Sequence, residues 1–281
     1  VIAILLCAAL MLLYLVYPAS LGIFTLLPFR TAVGSPPEGF ENVALQTEDG
    51  VTLQAWYRAP ANGIAIVLLH GAGGSRESVR PYAQMLAQRG YGVLAVDLRG
   101  HGESGGQTNR LGWQGTRDVG AAVNFLAGRA EVQAIGGLGL SMGGEVLLGA
   151  ASHYPAMRAI AVDGATRRSL EEQFALQTER PLVRHFTAGV MFTTVRLLSG
   201  EEPPMPLLQS LAASGATRFL LIAAGNVKQE IAFNQVFQTT LGERGALWVA
   251  PGAGHTEAYH LLPDEYTSRL IGFFDKAFAQ G

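Results

Sequence analysis

Gly139-Leu140-Ser141-Met142-Gly143 is a G-x-S-x-G pattern, and the reading of its surroundings decides the fold. A serine held on a tight strand-to-helix turn sits in strained backbone geometry. The residues two away on each side must then be tiny, because strand and helix nearly collide there. Val132-Gln133-Ala134-Ile135 and Leu138 read as a short buried strand just before the pattern, and Glu145 to Ala151 reads as a helix just after it. A Gly-rich turn in any α/β protein spells the same five letters, so the weight rests on these flanks.

Outward from this turn, strands and helices alternate. Asn42–Thr47 and Val51–Tyr57 flank Glu48-Asp49-Gly50, a hairpin signal. Ala65-Ile66-Val67-Leu68-Leu69 is a continuous apolar run, as expected of a strand buried on both faces. A helix over Ser78–Arg89, a strand over Gly92–Asp97 and a helix over Gly115–Ala127 precede the serine turn. Strands over Ala159–Val162, Phe219–Ala223 and Leu247–Ala250 and an amphipathic helix over Glu265–Ala279 follow it. Such alternation gives an open, mostly parallel sheet with helices on both faces, with ligands bound beyond the carboxyl ends of the strands. Thr166 to Ser214 interrupts the rhythm: it is too long for a simple crossover and reads as a lid or as extra helices over the sheet. It mixes Leu182-Val183 and Val190-Met191-Phe192 with Arg180, Arg184 and His185.

Serine becomes a nucleophile when a base takes its proton, and that base is usually a histidine held by a carboxylate. On an elbow of this kind the chain order is serine, acid, histidine. His255, in Pro251-Gly252-Ala253-Gly254-His255 after the last strand, fits the base, ahead of His260 within Glu257–Leu262. An oxyanion hole takes one backbone N–H from the residue after the nucleophile, Met142, and one from a loop after an earlier strand. Leu69-His70-Gly71-Ala72-Gly73-Gly74 is such a loop, and Ala72 is the expected donor. A phosphate-cradling loop is the alternative, but no Lys follows in the P-loop position.

Four motifs in order resemble the α/β-hydrolase superfamily: the His70-Gly71-Ala72-Gly73 loop, Asp97-Leu98-Arg99-Gly100-His101-Gly102-Glu103-Ser104, Gly139 to Gly143, and Gly252-Ala253-Gly254-His255. The resemblance runs from about residue 42 to 275. It implies an α/β-hydrolase fold: a mostly parallel eight-stranded sheet flanked by helices, with a helical lid inserted after the sixth strand. It also implies serine hydrolysis of esters or related acyl bonds, and it makes Asp97 an organiser of its turn rather than the catalytic acid. The family places an Asp three residues after the Gly that ends the seventh strand; here Gly225-Asn226-Val227-Lys228 puts Lys there. Glu230 is the nearest carboxylate, and Asp163 occupies the family's alternative place after the sixth strand. Glu230 is favoured, because its extra methylene offsets a small shift of the loop; as a plain helix-start carboxylate it would instead serve the helix dipole.

Residues 1–29 hold no Asp, Glu, Lys, Arg or His, and Val1 to Tyr17 is apolar throughout. A helix of ~17–20 such residues crosses most of a bilayer core. An uncleaved anchor is favoured over a signal peptide, since no small-x-small site follows the apolar core cleanly. The anchor resembles those of membrane-attached esterase-like and lipase-like members of the family. The expected organisation is therefore a transmembrane or anchor segment at 1–29, a linker at 30–41, a catalytic domain from 42–165 and 215–281, and a lid at 166–214. The composition, 49% hydrophobic and 15% charged with mean hydropathy +0.24, reflects this apolar start. Cys7 is the only cysteine, which excludes a disulfide framework and a cysteine metal site. A net charge of −2 with no basic run gives a nucleic-acid partner no electrostatic support.

The expected function is hydrolysis of an acyl ester, small or lipid-like, by Ser141, His255 and Glu230, with no metal and no organic cofactor. An aminopeptidase or acylpeptide hydrolase on the same fold is one alternative, hinted at by Glu171 and Glu172 in the lid as partners for a substrate amine. A catalytically silent binding protein is the other, motivated by the missing Asp.

Overall fold

A computed structural model describes residues 1–107, 111–175 and 182–279. Eight strands form one sheet in the order β1-β2-β4-β3-β5-β6-β7-β8. They are β1 (Glu41–Gln46), β2 (Thr52–Arg58), β3 (Ile64–Leu69), β4 (Gly92–Val96), β5 (Ala134–Leu140), β6 (Met157–Asp163), β7 (Arg218–Ala224) and β8 (Gly245–Ala250). The β1–β2 and β2–β4 pairings are antiparallel and every other pairing is parallel. The hairpin joining β1 and β2 turns at Gly50, whose φ of 81° only glycine adopts at no cost.

The apolar run of β3 shows why the strands read as continuous hydrophobic segments. Ala65, Val67 and Leu69 pack into the core on one face, while Ile66 and Leu68 pack into the core on the other. Helices α3 (Arg80–Gln88) and α11 (Pro263–Ala279) cover this second face through Tyr82, Leu86, Tyr266, Leu270 and Phe274. The first face is covered by α4 (Gly115–Ala127), α5 (Met142–Ala150), α8 (Leu207–Ala213) and α9 (Lys228–Leu241). The helix expected over Ser78–Arg89 is divided: a 3-10 turn over Arg76–Val79 is capped by Ser75, and α3 begins beside Pro81, which suits a first helical turn.

Between β6 and β7 lie α6 (Leu170–Ala175), α7 (Leu182–Ser199) and α8. Arg180 and the side chains of Leu182, Val183 and Arg184 fall outside the described residues. His185 stacks on Phe174, their rings 4.6 Å apart. Glu172 is buried, and its carboxylate accepts N–H bonds from Arg168, Ser169 and Leu207. That carboxylate caps the start of α6 and ties it to α8, so it is not presented as a partner for a substrate amine.

At the other end, α1 (Ile2–Met11), a π-helical turn (Leu12–Val16) and α2 (Tyr17–Thr25) run as one helix. The π-turn precedes Pro18, which offers no N–H to the Tyr14 carbonyl. Within the 24 residues from Ile2 to Thr25, the most apolar 18-residue stretch has a mean hydropathy of 2.4 and is 6% buried, so nearly all of this apolar surface is exposed. Where the helix does make contact, it packs on α7: a Cβ on Gly22 would lie 2.8 Å from the Met191 carbonyl oxygen. The segment after it is fastened to the body. Phe29 N–H donates to Gly100 O and Phe29 O accepts from Gly102 N–H, and Arg80 donates to Ser35 O.

Candidate active site

Ser141 lies between the end of β5 and the start of α5 with φ 51° and ψ −120°, a conformation that costs a non-glycine residue energy. Two features hold it there. Its N–H donates to Asp163 O at 2.7 Å, fixing the turn to β6, and α5 crosses β5 so closely that no side chain fits. A Cβ on Gly139 would sit 2.4 Å from Gly143 O, and one on Gly143 would sit 2.6 Å from His70 O. The glycines around the serine are thus required by backbone on backbone.

His255 follows β8 in a loop pinned to the β7 end by Asn226, which donates its N–H to Ala253 O and its side-chain amide to Gly252 O. Its Nε2 is 2.9 Å from Ser141 Oγ, and its Nδ1 is 2.5 Å from Glu230 Oε1. Glu230 is in the first turn of α9, its side chain only 2% exposed against 51% for His255, so the carboxylate is inside and the ring reaches solvent. The other oxygen of Glu230 accepts the Ala224 N–H at 2.9 Å. With both oxygens occupied by donors, Nδ1 is held as the protonated nitrogen and Nε2 as the acceptor of the serine proton. The bond to Glu230 raises the pKa of His255 above its ordinary value, partly offset by burial.

Asp163 is buried at the end of β6, and its carboxylate makes no hydrogen bond to His255. Burial, with the Glu230 charge adding to it, pushes its pKa up to about 7. Of the two candidate acids, then, the one bonded to His255 is Glu230. Gly164, next in the chain, presses on the ring: a Cβ there would be 3.0 Å from His255 Nδ1.

Met142 is the first residue of α5, where a backbone N–H has no intrahelical acceptor, and among the described residues the Ala72 N–H has none either. Two histidines shape this loop. His70 is fully buried, with Nδ1 2.8 Å from Gly71 O and Nε2 accepting from Leu98 N–H. Burial, with the nearby His101 adding to it, pushes its pKa down to about 3, so it stays neutral and bridges two backbones. His101 places Nε2 3.1 Å from Ala72 O and thereby orients the peptide. Asp97 accepts from the backbone N–H groups of Arg76 and Glu103 and pairs with the buried Arg76 guanidinium, which organises the turn. The sequence quoted His101 only as part of a motif; the ring-to-carbonyl contact needs the fold to be seen. Glu145 was also missed: it is buried in α5 and binds Thr166 and Arg167, holding the chain that leaves β6.

The serine opens into a cleft of about 400 Å³ whose lining includes Ala72, Ser78, Tyr82, Leu140, His255 and His260. His260, expected away from the strand end, is therefore at the cleft wall, because the short helix α10 (Ala258–Leu261) folds back beside the His255 loop. No cluster of three or more His, Cys, Asp or Glu side chains able to hold a metal occurs among the described residues.

Sheet order, elbow and histidine loop define the class: the chain belongs to the α/β-hydrolase superfamily. A family described as "Serine aminopeptidase, S33" matches residues 61–197. An esterase of Pyrococcus furiosus superposes with a TM-score of 0.72 at 25% identity, over 89% of this chain and 97% of that one. A thiohydrolase of Aspergillus aculeatus is 30% identical over 60% of this chain and 54% of its own. A thermostable monoacylglycerol lipase of a Bacillus species is 36% identical over 33% of this chain and 36% of its own. The chain spans about half the length of the curated relatives it matches.

Proposed function

We propose that this protein is a membrane-anchored serine hydrolase that cleaves carboxylic esters or related acyl bonds through an acyl-enzyme. The observation that carries the reading is the relay from Ser141 Oγ through His255 to Glu230, 2.9 and 2.5 Å in its two links, beside two unoccupied N–H groups. In this scheme Ser141 Oγ attacks the acyl carbonyl carbon and its proton passes to His255 Nε2. The negative charge on the carbonyl oxygen is held by the N–H groups of Ala72 and Met142. Collapse of this intermediate breaks the bond to the alcohol, which leaves with the proton from His255. Water then attacks the acyl-serine with the same base, and the carboxylic acid departs.

Glu230 takes the place of the missing Asp by reaching from the first turn of α9, two residues beyond Lys228. The esterase and the monoacylglycerol lipase named above are named for ester bonds, which supports an acyl substrate. Residues 166–214 are read as a cap over the cleft, and the exposed apolar helix from Ile2 to Thr25 as the membrane anchor. The internal use of Glu172 weakens an amine-binding reading of the cap.

A fluorophosphonate probe tests the chemistry. Wild type is expected to be labelled at Ser141 and Ser141→Ala not at all; a label that persists in Ser141→Ala refutes the nucleophile. Turnover of p-nitrophenyl acyl esters well above that of aminoacyl p-nitroanilides is expected, and the reverse order would make the enzyme an aminopeptidase.

A further inference from the structure

The N-terminal helix and the cap border an open cavity of about 360 Å³, within the range of small-molecule sites and distinct from the cleft at Ser141. Leu13, Tyr14 and Tyr17 line one side, and Ala188 and Met191 of α7 line the other, with Arg167 also on the wall. From this cavity we infer that the protein binds the acyl chain of a bilayer phospholipid between its anchor helix and its cap. The inference rests on the membrane reading above and adds a ligand class and a place for it.

Four observations converge on that occupant. One wall is the segment whose remaining surface is apolar and exposed, including Leu12 at 60% and Leu15 at 44%, so its neighbours in a membrane are lipid chains. Tyr14 and Tyr17 line this wall with rings that pair an apolar body with a hydroxyl, a side-chain type suited to a lipid chain and its polar end. The other wall continues the apolar surface: Phe186, Leu197 and Leu198 of α7 are all more than half exposed. Finally, the walls are held together at one end. Gly22 brings the backbone of α2 against Met191 and Thr194, and Leu26 packs on the Trp113, Phe192 and Val195 cluster, so the two walls are joined at that end and the gap lies beside Leu13 to Leu21, before both contacts.

The cavity also lies close to the chemistry. Gly164 touches the His255 ring, and Arg167, three residues on, lines the cavity. Three residues of chain reach at most roughly 11 Å, so the backbone of Arg167 stays near the His255 ring.

The test uses the full chain in phosphatidylcholine vesicles that carry a phosphatidylcholine with a diazirine in its acyl chain. After irradiation and digestion, label is expected on Ala188 and Met191 as well as on the N-terminal helix. Ala188→Trp fills the gap, and losing room for even two methylenes lowers occupancy, and hence label on α7, roughly tenfold. Met191→Trp is the second filling variant, and an unchanged circular-dichroism melt shows that each is folded. Label confined to the N-terminal helix, or label on α7 that survives both folded variants, overturns the inference. Failure of the chain to float with the vesicles overturns it together with the membrane reading. Failure of the fluorophosphonate reaction at Ser141 strikes the proposed chemistry alone, and α7 label in Ser141→Ala still supports the site.

Discussion

Replacing Glu230 by Gln changes one atom and exposes the logic of the relay. The wild-type carboxylate accepts on both sides, from His255 Nδ1 at 2.5 Å and from Ala224 N–H at 2.9 Å. A glutamine amide has one acceptor. If its oxygen keeps the buried Ala224 N–H, its NH₂ group faces Nδ1, and the imidazole must turn to the tautomer that carries its proton on Nε2. That ring cannot accept the serine proton. If the amide flips, the Ala224 donor loses its acceptor inside the core, a penalty of about 1–3 kcal/mol. The first arrangement is the cheaper, and loss of the right tautomer in a serine relay costs roughly 10⁴ in kcat, or about 5 kcal/mol of barrier.

The assay is steady-state hydrolysis of p-nitrophenyl butyrate against pH. In wild type the bond to Glu230 raises the His255 pKa above 6.5, so kcat/KM rises with pH through a limb above that value. In Glu230→Gln the limb moves to lower pH, because the anion that stabilised the imidazolium is gone. The stability carried by the His255 ion pair has the opposite sense: it is fully present below 6.5 and is lost as pH rises through the folded-state value. A Glu230→Gln enzyme within tenfold of wild type, or one with an unmoved limb, refutes the assignment of the acid.

Three further outcomes are expected. Asp163→Asn leaves the pH-optimum kcat within about tenfold, since the hydrogen bond to His255 Nδ1 comes from Glu230 and not from Asp163. Because burial raises the Asp163 pKa from 3.8 to about 7, wild-type stability falls by roughly 1.4 kcal/mol per pH unit across that window, and the variant lacks this slope; equal melts of the two proteins at pH 4 and pH 8 would contradict it. Gly143→Ala drives a Cβ to 2.6 Å from His70 O and 2.7 Å from Leu69 O, both backbone atoms, so the chain loses about 3 kcal/mol or more, read as a drop in urea midpoint; an unchanged midpoint would mean that the elbow is looser than described. Arg76→Met leaves the buried Asp97 without its counter-charge and costs about 3–5 kcal/mol, and adding Asp97→Asn restores part of this; a double variant no more stable than the single would refute the pairing.

What could be read from the chain follows the range of the interactions. Gly139 is legible because the collision it avoids is local, with the Gly143 carbonyl four residues on, whereas Gly143 avoids the distant Leu69 and His70 carbonyls and is legible only through the motif. The runs at Ala65–Leu69 and Phe219–Ala223 are legible because strands buried on both faces leave no polar positions. The choice of Glu230 over Asp163 was open at that level, since both precede His255 and both follow a strand. In space it is Glu230 that meets His255 Nδ1, its carboxylate fixed by the Ala224 N–H, while Gly164 turns the chain under the ring. The His101 contact with Ala72 spans 29 positions, and the seat of Gly22 on α7 spans about 170, so neither leaves a periodicity to find. Glu171 and Glu172 read alike in sequence as lid carboxylates open to an amine, because the three backbone donors that consume Glu172 are invisible until the chain folds.

The clasp of Phe29 on Gly100 and Gly102 follows the last helical residue, Thr25, by only four positions. A chain that short reaches at most about 14 Å, and its far end is bonded to the body instead of hanging free. If the helix stands in a bilayer, the body is therefore a fixture and not a buoy. It has a fixed height and a fixed heading, the mouth of its cleft keeps one bearing to the lipid surface, and encounter with substrate becomes a two-dimensional matter of what drifts beneath it.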